Sequence, residues 1–311
     1  MAVIDGTSHN DTITPTKLSS GVTPHVFPSN ASDELHGHGG SDTLNGGGGD
    51  DFLFGDDLDS EKGNDFMDGG TGADIMSGHA GNDTYVVDNA GDQILEDTAA
   101  SGGVDTVQSS TITVDFSNYG FNVSGLENIT LTGSKALAGL GNDFANVITG
   151  NGGGNLLVGF AGDDTLNGGG GKDTLQGQAG ADILVGGAKA DILIGGLDAD
   201  IFQFKSASDS TPSAPDQIEA GDGAPAFEGA GSSGGDRIDV SGIDANATAG
   251  GNQTFAFGGG NGKGHLTLVD SGTDTIVRGN TDNDSAFEFQ LVIHDGNTVS
   301  AANYNAGDFL L

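Results

Sequence analysis

Asp164, Asp173, Asp182, Asp191 and Asp200 recur every nine residues, and Asn155 and Asn146 carry the same register toward the N-terminus. Glycines precede almost every one, and an apolar residue follows two places later. GFAGDDTLN (159–167), GGGGKDTLQ (168–176) and GQAGADILV (177–185) all fit G-G-x-G-x-D-x-U-x, with U apolar. Carboxylates repeated at one position of a glycine-rich turn suit the binding of a hard cation. Backbone carbonyls of the same turns complete an all-oxygen shell, and Ca2+ accepts about six to eight such oxygens.

An earlier run has the same form: GHGGSDTLN (37–45), GGGGDDFLF (46–54), an interrupted unit (55–68), GGTGADIMS (69–77) and GHAGNDTYV (78–86). Its register aspartates are Asp42, Asp51, Asp65, Asp74 and Asp83. The step from Asp51 to Asp65 is fourteen residues, so the acidic DLDSEK (57–62) contains a five-residue insertion, read as a bulging loop. The ten aspartates are the candidate side-chain ligands. Candidate carbonyl donors occupy the first and third turn positions: Gly37, Gly39, Gly46, Gly48, Gly69, Thr71, Gly159, Ala161, Gly168, Gly170, Gly177 and Ala179. If each ion needs two turns from the same face, the two runs hold roughly six to eight Ca2+.

The elements that must position these groups follow from residue type. Gly-Gly-x-Gly favours a tight turn over a helix, because glycine tolerates positive φ. The x-U-x that follows is a short strand with only its middle residue pointing inward. Those inward residues are Leu44, Leu53, Met67, Met76 and Tyr85, then Leu157, Leu166, Leu175, Leu184, Leu193 and Phe202. Two nonapeptides make one coil with turns on alternating sides, so each turn stacks on the turn two repeats away. The expected fold is all-β, a right-handed parallel β-roll in two blocks followed by a small antiparallel β domain.

Five divisions are expected. Residues 1–36 form a cap of decayed repeats, GTSHNDTIT (6–14) and SNASDELH (29–36), since a repeat stack needs atypical ends. The first block spans 37–86. Residues 87–140 connect the blocks through longer strands without calcium turns, as VDTVQSSTITVDF (104–116) and LENITLTG (126–133) alternate apolar and polar residues. In the second block, 141–203, Lys189 and Asp198 replace the fourth-position glycine. Residues 204–311 form the end domain. There GDGAPAFEGAGSSGG (221–235) reads as a flexible insertion, and DRIDVSGID, QTFAF, HLTLVD, DTIVRGN and FEFQLVIHD read as antiparallel strands.

One apolar side chain per nine ordered residues buries too little surface to offset the ordering entropy. Aspartates stacked at the strand spacing of about 4.8 Å also repel one another. Without a cation the blocks are expected to be disordered, so folding couples to calcium binding. The 45 acidic against 9 basic residues, a formal charge of −36, argue against nucleic acid and against an anionic membrane surface. No window approaches the apolar length of a membrane span. The opening MAVIDGTSHNDTI has neither a basic nor an apolar leader region, so no cleaved N-terminal signal is expected. The absence of cysteine leaves the redox compartment open.

On these nonapeptides the chain resembles the secreted RTX, or hemolysin-type, calcium-binding proteins of Gram-negative bacteria. Residues 198–222, 236–246, 252–257 and the closing DFLL (308–311) look like the C-terminal domain that follows the β-roll in serralysin metalloproteases. The resemblance implies an extracellular protein exported by a type I exporter, uncleaved, with Asp308, Phe309, Leu310 and Leu311 matching the export ending. The Gly-rich insertion before Asp236 departs from that outline. No histidine begins an H-E-x-x-H zinc motif and there is no thiol, so no enzymatic activity is expected.

Two lesser constellations remain. His36 and His38 form an H-G-H without a third ligand, and His38 and His79 occupy the second turn position, where a side chain reads as solvent-facing. Asn280, Asp282, Asp284 and Glu288 have the spacing of an EF-type calcium loop, but Ser285 and Leu291 stand where that loop needs Gly and Glu. The alternative to a free calcium-binding protein is a surface-layer, adhesion or matrix component that uses the roll as a rigid spacer against a cell-surface or matrix partner. An ice-binding face is disfavoured, because Phe52, Phe66, Ile75, Ile183, Ile192 and Ile201 interrupt the ladder of Thr43, Thr84, Thr165 and Thr174.

Overall fold

The structure, a computed structural model, describes residues 2–23, 27–56, 62–96, 103–116, 125–230, 234–248, 250–258, 260, 262–282, 284, 286–296 and 299–311. The insertion expected at 57–62 lies outside these except for Lys62. The chain divides into two compact units, the first formed mainly by residues 2–132 and the second mainly by 143–311.

In the first unit Val3–Asp5, Glu34–His36, Phe52–Phe54, Ile75–Ser77 and Gln93–Ile94 form one parallel sheet. Thr12–Thr14, Thr43–Asn45, Phe66–Asp68, Thr84–Val86, Thr106–Ser109 and Asn128–Leu131 pair in parallel in another. The chain alternates between the two, which gives each coil one strand in each sheet. Three-residue strands follow from the nonapeptide, because six of its nine residues are spent on the turn. Their middle residues stack in rows: Ile4, Leu35, Leu53, Met76 and Ile94 in one sheet, Ile13, Leu44, Met67, Tyr85, Val107 and Ile129 in the other. All are buried.

The second unit repeats the plan. Leu166 aligns with Leu184, Leu184 with Phe202, Phe202 with Ile238 and Ile238 with Phe309. The facing row runs through Leu157, Leu175, Leu193, Ile218 and Ile293. Within the nonapeptides, partners are eighteen residues apart, the two-repeat coil that the sequence pattern dictates. Every expected inward residue is fully buried.

Beyond the nonapeptides, His265–Ser271, Asp274–Asn280 and Phe289–Ile293 form the expected antiparallel meander. Ala256–Phe257, expected to be antiparallel, pairs in parallel with His265–Ser271 instead, and Arg237–Asp239 does not join the meander. It pairs in parallel with Ile201–Gln203, because Ile238 continues the inward row. The glycine-rich 221–235 is anchored where it is described: Phe227 is buried, with its ring 6.2 Å from that of Phe202 and 5.3 Å from Tyr304. A single aromatic side chain outweighs the glycine content there.

The turns explain the glycines. In the nine turns that begin at Gly37, Gly46, Gly69, Gly78, Gly159, Gly168, Gly177, Gly186 and Gly195 the second and fourth positions are left-handed, as at Gly171 (φ +147°), where an added Cβ would lie 2.2 Å from the Gly153 carbonyl oxygen. Lys189 holds the same fourth position at φ 92°, a conformation costly for a side-chain-bearing residue.

Leu175 sits between Leu157 and Leu193 with no exposure. Leu175→Ala is expected to cost about 2–5 kcal/mol, read as a lower urea midpoint in excess calcium. An unchanged midpoint would mean that the row carries no packing energy.

Candidate metal centre

Because parallel strands follow each register aspartate, the aspartates themselves stack. The backbone N–H of each donates to Oδ1 of the aspartate one coil on. Asp42 donates to Asp65 at 2.8 Å, Asp51 to Asp74 at 2.8 Å and Asp65 to Asp83 at 2.8 Å. In the second unit Asp164 donates to Asp182 at 2.8 Å, Asp173 to Asp191 at 2.8 Å and Asp182 to Asp200 at 2.9 Å. Asn146 and Asn155 enter the same ladder as donors to Asp164 and Asp173.

The other carboxylate oxygen is treated differently. Oδ2 of each of the ten register aspartates is buried and has no hydrogen-bond partner. None of these residues is more than 2 % exposed. Each Oδ2 points back over the first glycine of its own turn: an added Cβ would lie 2.4 Å from it at Gly37, 2.3 Å at Gly46, 2.0 Å at Gly159 and 2.1 Å at Gly177. At four of these turns a backbone carbonyl from the next coil converges on the same point. Gly55 O reaches 2.6 Å at Gly37, Gly69 O 2.8 Å at Gly46, Gly186 O 2.5 Å at Gly168 and Gly195 O 2.7 Å at Gly177. Gly37 and Gly168 supply their carbonyls likewise to Gly6 and Gly150.

Burial pushes the carboxyls up from about 3.8, to about 6 for Asp51, Asp83 and Asp191 and to about 7 for Asp42, Asp74, Asp164, Asp173 and Asp182. Asp65 and Asp200 reach about 8, with neighbouring aspartates adding to the rise. A buried anionic oxygen without a partner is costly unless something positive meets it. Unpaired carboxylate oxygens beside backbone carbonyls are a donor set of hard oxygens only, which fits Ca2+.

The expected third-position carbonyls are partly engaged in turn stacking. Thr71 O accepts from Gly49 N–H at 2.8 Å and Ala179 O from Gly162 N–H at 2.9 Å, each leaving a second lone pair. Gly48 is bridged in parallel to Thr71, and Gly170 to Ala188. Gly39 and Ala161 are half-buried at the equivalent position.

Residues outside the nonapeptides extend the ladder. Asp83 donates to Asp105 at 2.7 Å, Asp105 to Glu127 at 2.8 Å, Asp191 to Asp216 at 2.9 Å and Asp200 to Asp236 at 2.9 Å. Asp105 and Asp216 also carry an unpartnered Oδ2. Their signal was present in DTVQ (105–108) and DQIE (216–219), which keep D-x-U-x without the glycines. The stretch 87–140, expected to lack such turns, therefore continues the carboxylate ladder at Asp92, Asp105 and Glu127.

At the lesser constellations, the His36 and His38 rings stack at 5.9 Å and His36 Nε2 lies 3.1 Å from Glu34 Oε1. Neither histidine belongs to a metal-ligating cluster among the described residues. Asp282, Asp284 and Glu288 each bring one carboxylate oxygen within 4.8 Å of the others, while Asn280 Oδ1 accepts from Asp282 N–H at 3.1 Å. Asn283 and Ser285 lie outside the described residues. GSSGG (231–235) has the bare spacing of a G-x-S-x-G nucleophile elbow. That elbow requires a helix after the serine, whereas the strand Arg237–Asp239 follows here.

The family model for the RTX calcium-binding nonapeptide repeat matches four segments, residues 29–60, 54–85, 140–175 and 176–209. These hold all ten register aspartates, so the nonapeptide turns that carry them are RTX calcium-binding repeats. The chain is similar to the solution structure of the AlgE6R3 subunit from the Azotobacter vinelandii mannuronan C5-epimerase, with 26% sequence identity and a TM-score of 0.25. That match covers 55% of this chain and 80% of the subunit. None of the curated proteins matches the chain. No helix among the described residues is long and apolar enough to cross a membrane.

The raised carboxyls make a signed pH prediction. In chelator, their contribution to stability is fully present below about 3.8 and is lost as pH rises through the folded values of about 6 to about 8. The chelated chain should therefore show more strand signal at pH 5, where the carboxyls are protonated, than at pH 8. Calcium replaces the protons, so in excess calcium the urea midpoint should instead be higher at pH 8 than at pH 5. A strand signal in chelator that does not change between pH 5 and pH 8 would contradict the burial of these groups.

Proposed function

We propose that this chain is a secreted, non-enzymatic calcium-binding protein whose repeats fold on binding roughly six to eight Ca2+ between stacked turns. The observation that carries the reading is the row of buried Oδ2 atoms with no partner, with a carbonyl of the next coil beside those of Asp42, Asp51, Asp173 and Asp182. The ladder itself consumes only Oδ1, so the second oxygen is free for a ligand that contributes to folding. The number of ions follows from two same-face turns per ion.

Secretion through a type I exporter is part of this proposal. It rests on the repeat family and on the resemblance of residues 198–222, 236–246, 252–257 and 308–311 to the serralysin C-terminal domain. A chain that is unfolded without calcium suits passage through an exporter and folding in a calcium-rich exterior. The non-enzymatic reading rests on the sequence, which lacks H-E-x-x-H and cysteine.

Circular dichroism during a calcium titration is the test. At pH 8 strand signal should be largely absent in excess chelator and appear cooperatively with calcium; strand signal complete in chelator at that pH would sink the proposal. Asp182→Asn keeps the Oδ1 acceptor and removes the charge on the bare oxygen. It should shift the calcium midpoint upward on the order of tenfold, the loss of one charge-assisted contact.

A further inference from the structure

The first block ends in a turn that differs from all the others. At Gly37, Gly46 and Gly177 the space over the glycine is shared by an aspartate Oδ2 and a backbone carbonyl from the next coil. At Gly78 the same space is shared by Asp83 Oδ2 and the Tyr85 hydroxyl. The residue stacked above Gly78, eighteen positions on, is Glu96, since Ser77 Oγ donates to the Leu95 carbonyl at 3.0 Å. The Tyr85 hydroxyl donates to Glu96 Oε1. Tyr85 is the one tyrosine in the inward row, and its hydroxyl holds a side-chain carboxylate where the turns at Gly37 and Gly46 have a main-chain oxygen.

Asp83, Glu96 and Asp105 each bring one carboxylate oxygen within 4.8 Å of the other two. All three are buried, at 1 %, 5 % and 0 % exposure. Oδ2 of Asp83 and Oδ2 of Asp105 have no hydrogen-bond partner, while their Oδ1 atoms are tied into the ladder by Asp65 and Asp83. Three carboxylates crowded out of water repel strongly, and only a cation relieves all three at once.

We propose that Asp83, Glu96 and Asp105 form a distinct tri-carboxylate site for one hard divalent cation, with Ca2+ as the fitting ion, closing the first block. Two of its three ligands, Glu96 and Asp105, lie outside the nonapeptides. The site replaces a turn that the sequence no longer supplies: the sequence between Glu96 and Asp105 has no Gly-Gly-x-Gly, so a glutamate side chain takes over the role that a carbonyl has at Gly37 and Gly46. A third carboxylate also raises the charge of the shell above that of the two-aspartate turns, the variable by which such sites tune affinity. The proposal rests on the calcium reading of the repeats for the folded state that the ion enters.

The chain has three tyrosines and no tryptophan, which gives the site its own reporter. A luminescent hard cation, Tb3+, bound there sits beside Tyr85 and is sensitised when tyrosine is excited. In the full chain, Glu96→Gln should lower the calcium count from equilibrium dialysis by one ion. Tyrosine-sensitised Tb3+ emission should fall to the level left by Tyr85→Phe, while the strand signal at saturating calcium is retained. Tyr85→Phe should lose that emission and keep its full strand signal, which guards against a Glu96 variant that does not fold. An unchanged ion count in a folded Glu96→Gln chain, or wild-type emission in Tyr85→Phe, would overturn the site. Either result beside a normal wild-type calcium titration would leave the repeat reading intact, whereas absence of any calcium-induced folding would remove both.

Discussion

Each register aspartate is held at one oxygen and bare at the other, and the rest of the fold is arranged around that asymmetry. Oδ1 accepts a backbone N–H from the preceding coil, so the carboxylate cannot turn toward solvent without breaking the stack. Oδ2 is thereby fixed in a buried position over a glycine Cα. A carboxylate free to rotate would hydrate its second oxygen and need no ion. The ladder makes the coil repeat and makes each repeat electrostatically incomplete, so cation dependence is built into the hydrogen bonds that define the fold.

The core is consistent with this arrangement. Each strand contributes one inward side chain, and the two rows in each unit are continuous but narrow. Such a core fixes register well, because a one-residue slip would expose every inward residue. It offers little surplus burial with which to hold together a row of desolvated carboxylates. Stability must then come from whatever neutralises the turns, a proton at low pH or a cation near neutrality. The two compete for the same oxygens.

Much of this was legible in the chain itself. The nine-residue period dictates two repeats per coil, and the inward Leu, Met and Phe positions stand where a period of nine with one apolar site puts them. What the period could not reveal was its own continuation after the glycines vanish. Asp105 and Asp216 keep their ladder places at separations of 22 and 25 residues from their partners, because an intervening loop can lengthen without moving the strand that follows. Phe227 was hidden for a related reason: glycine-rich composition describes a segment's average, and one buried ring decides where it packs. The role of Glu96 was invisible because it depends on what stacks above Gly78, a relation set by coil geometry and not by any motif around residue 96.

A finer distinction separates turns that await a cation from turns that satisfy themselves. At Asp11, Oδ2 accepts from the Thr7 N–H and hydroxyl, and at Asp33 from the Ser29 N–H and hydroxyl. At Asp92 it accepts from Asp88 N–H, and Asn155 Oδ1 accepts from Asn151 N–H. In each case the donor is four residues before the side chain it caps, the second turn position. None of Thr7, Ser29, Asp88 or Asn151 has left-handed φ, whereas His38, His79, Phe160 and Gln178 do, as do Gly47, Gly70, Gly169, Gly187 and Gly196. Every turn of this second set leaves its Oδ2 bare. The sign of φ at one residue therefore decides whether the backbone N–H faces the carboxylate or turns away from it. The second glycine of the repeat matters for this reason: it lets the turn adopt the conformation that withholds the protein's own donor, leaving the oxygen for a cation. Self-capped turns fall where the nonapeptide has decayed, at the start of the chain and at Asp92 and Asn155, so the same aspartate ladder can begin, pass its junctions and continue without an ion at every step.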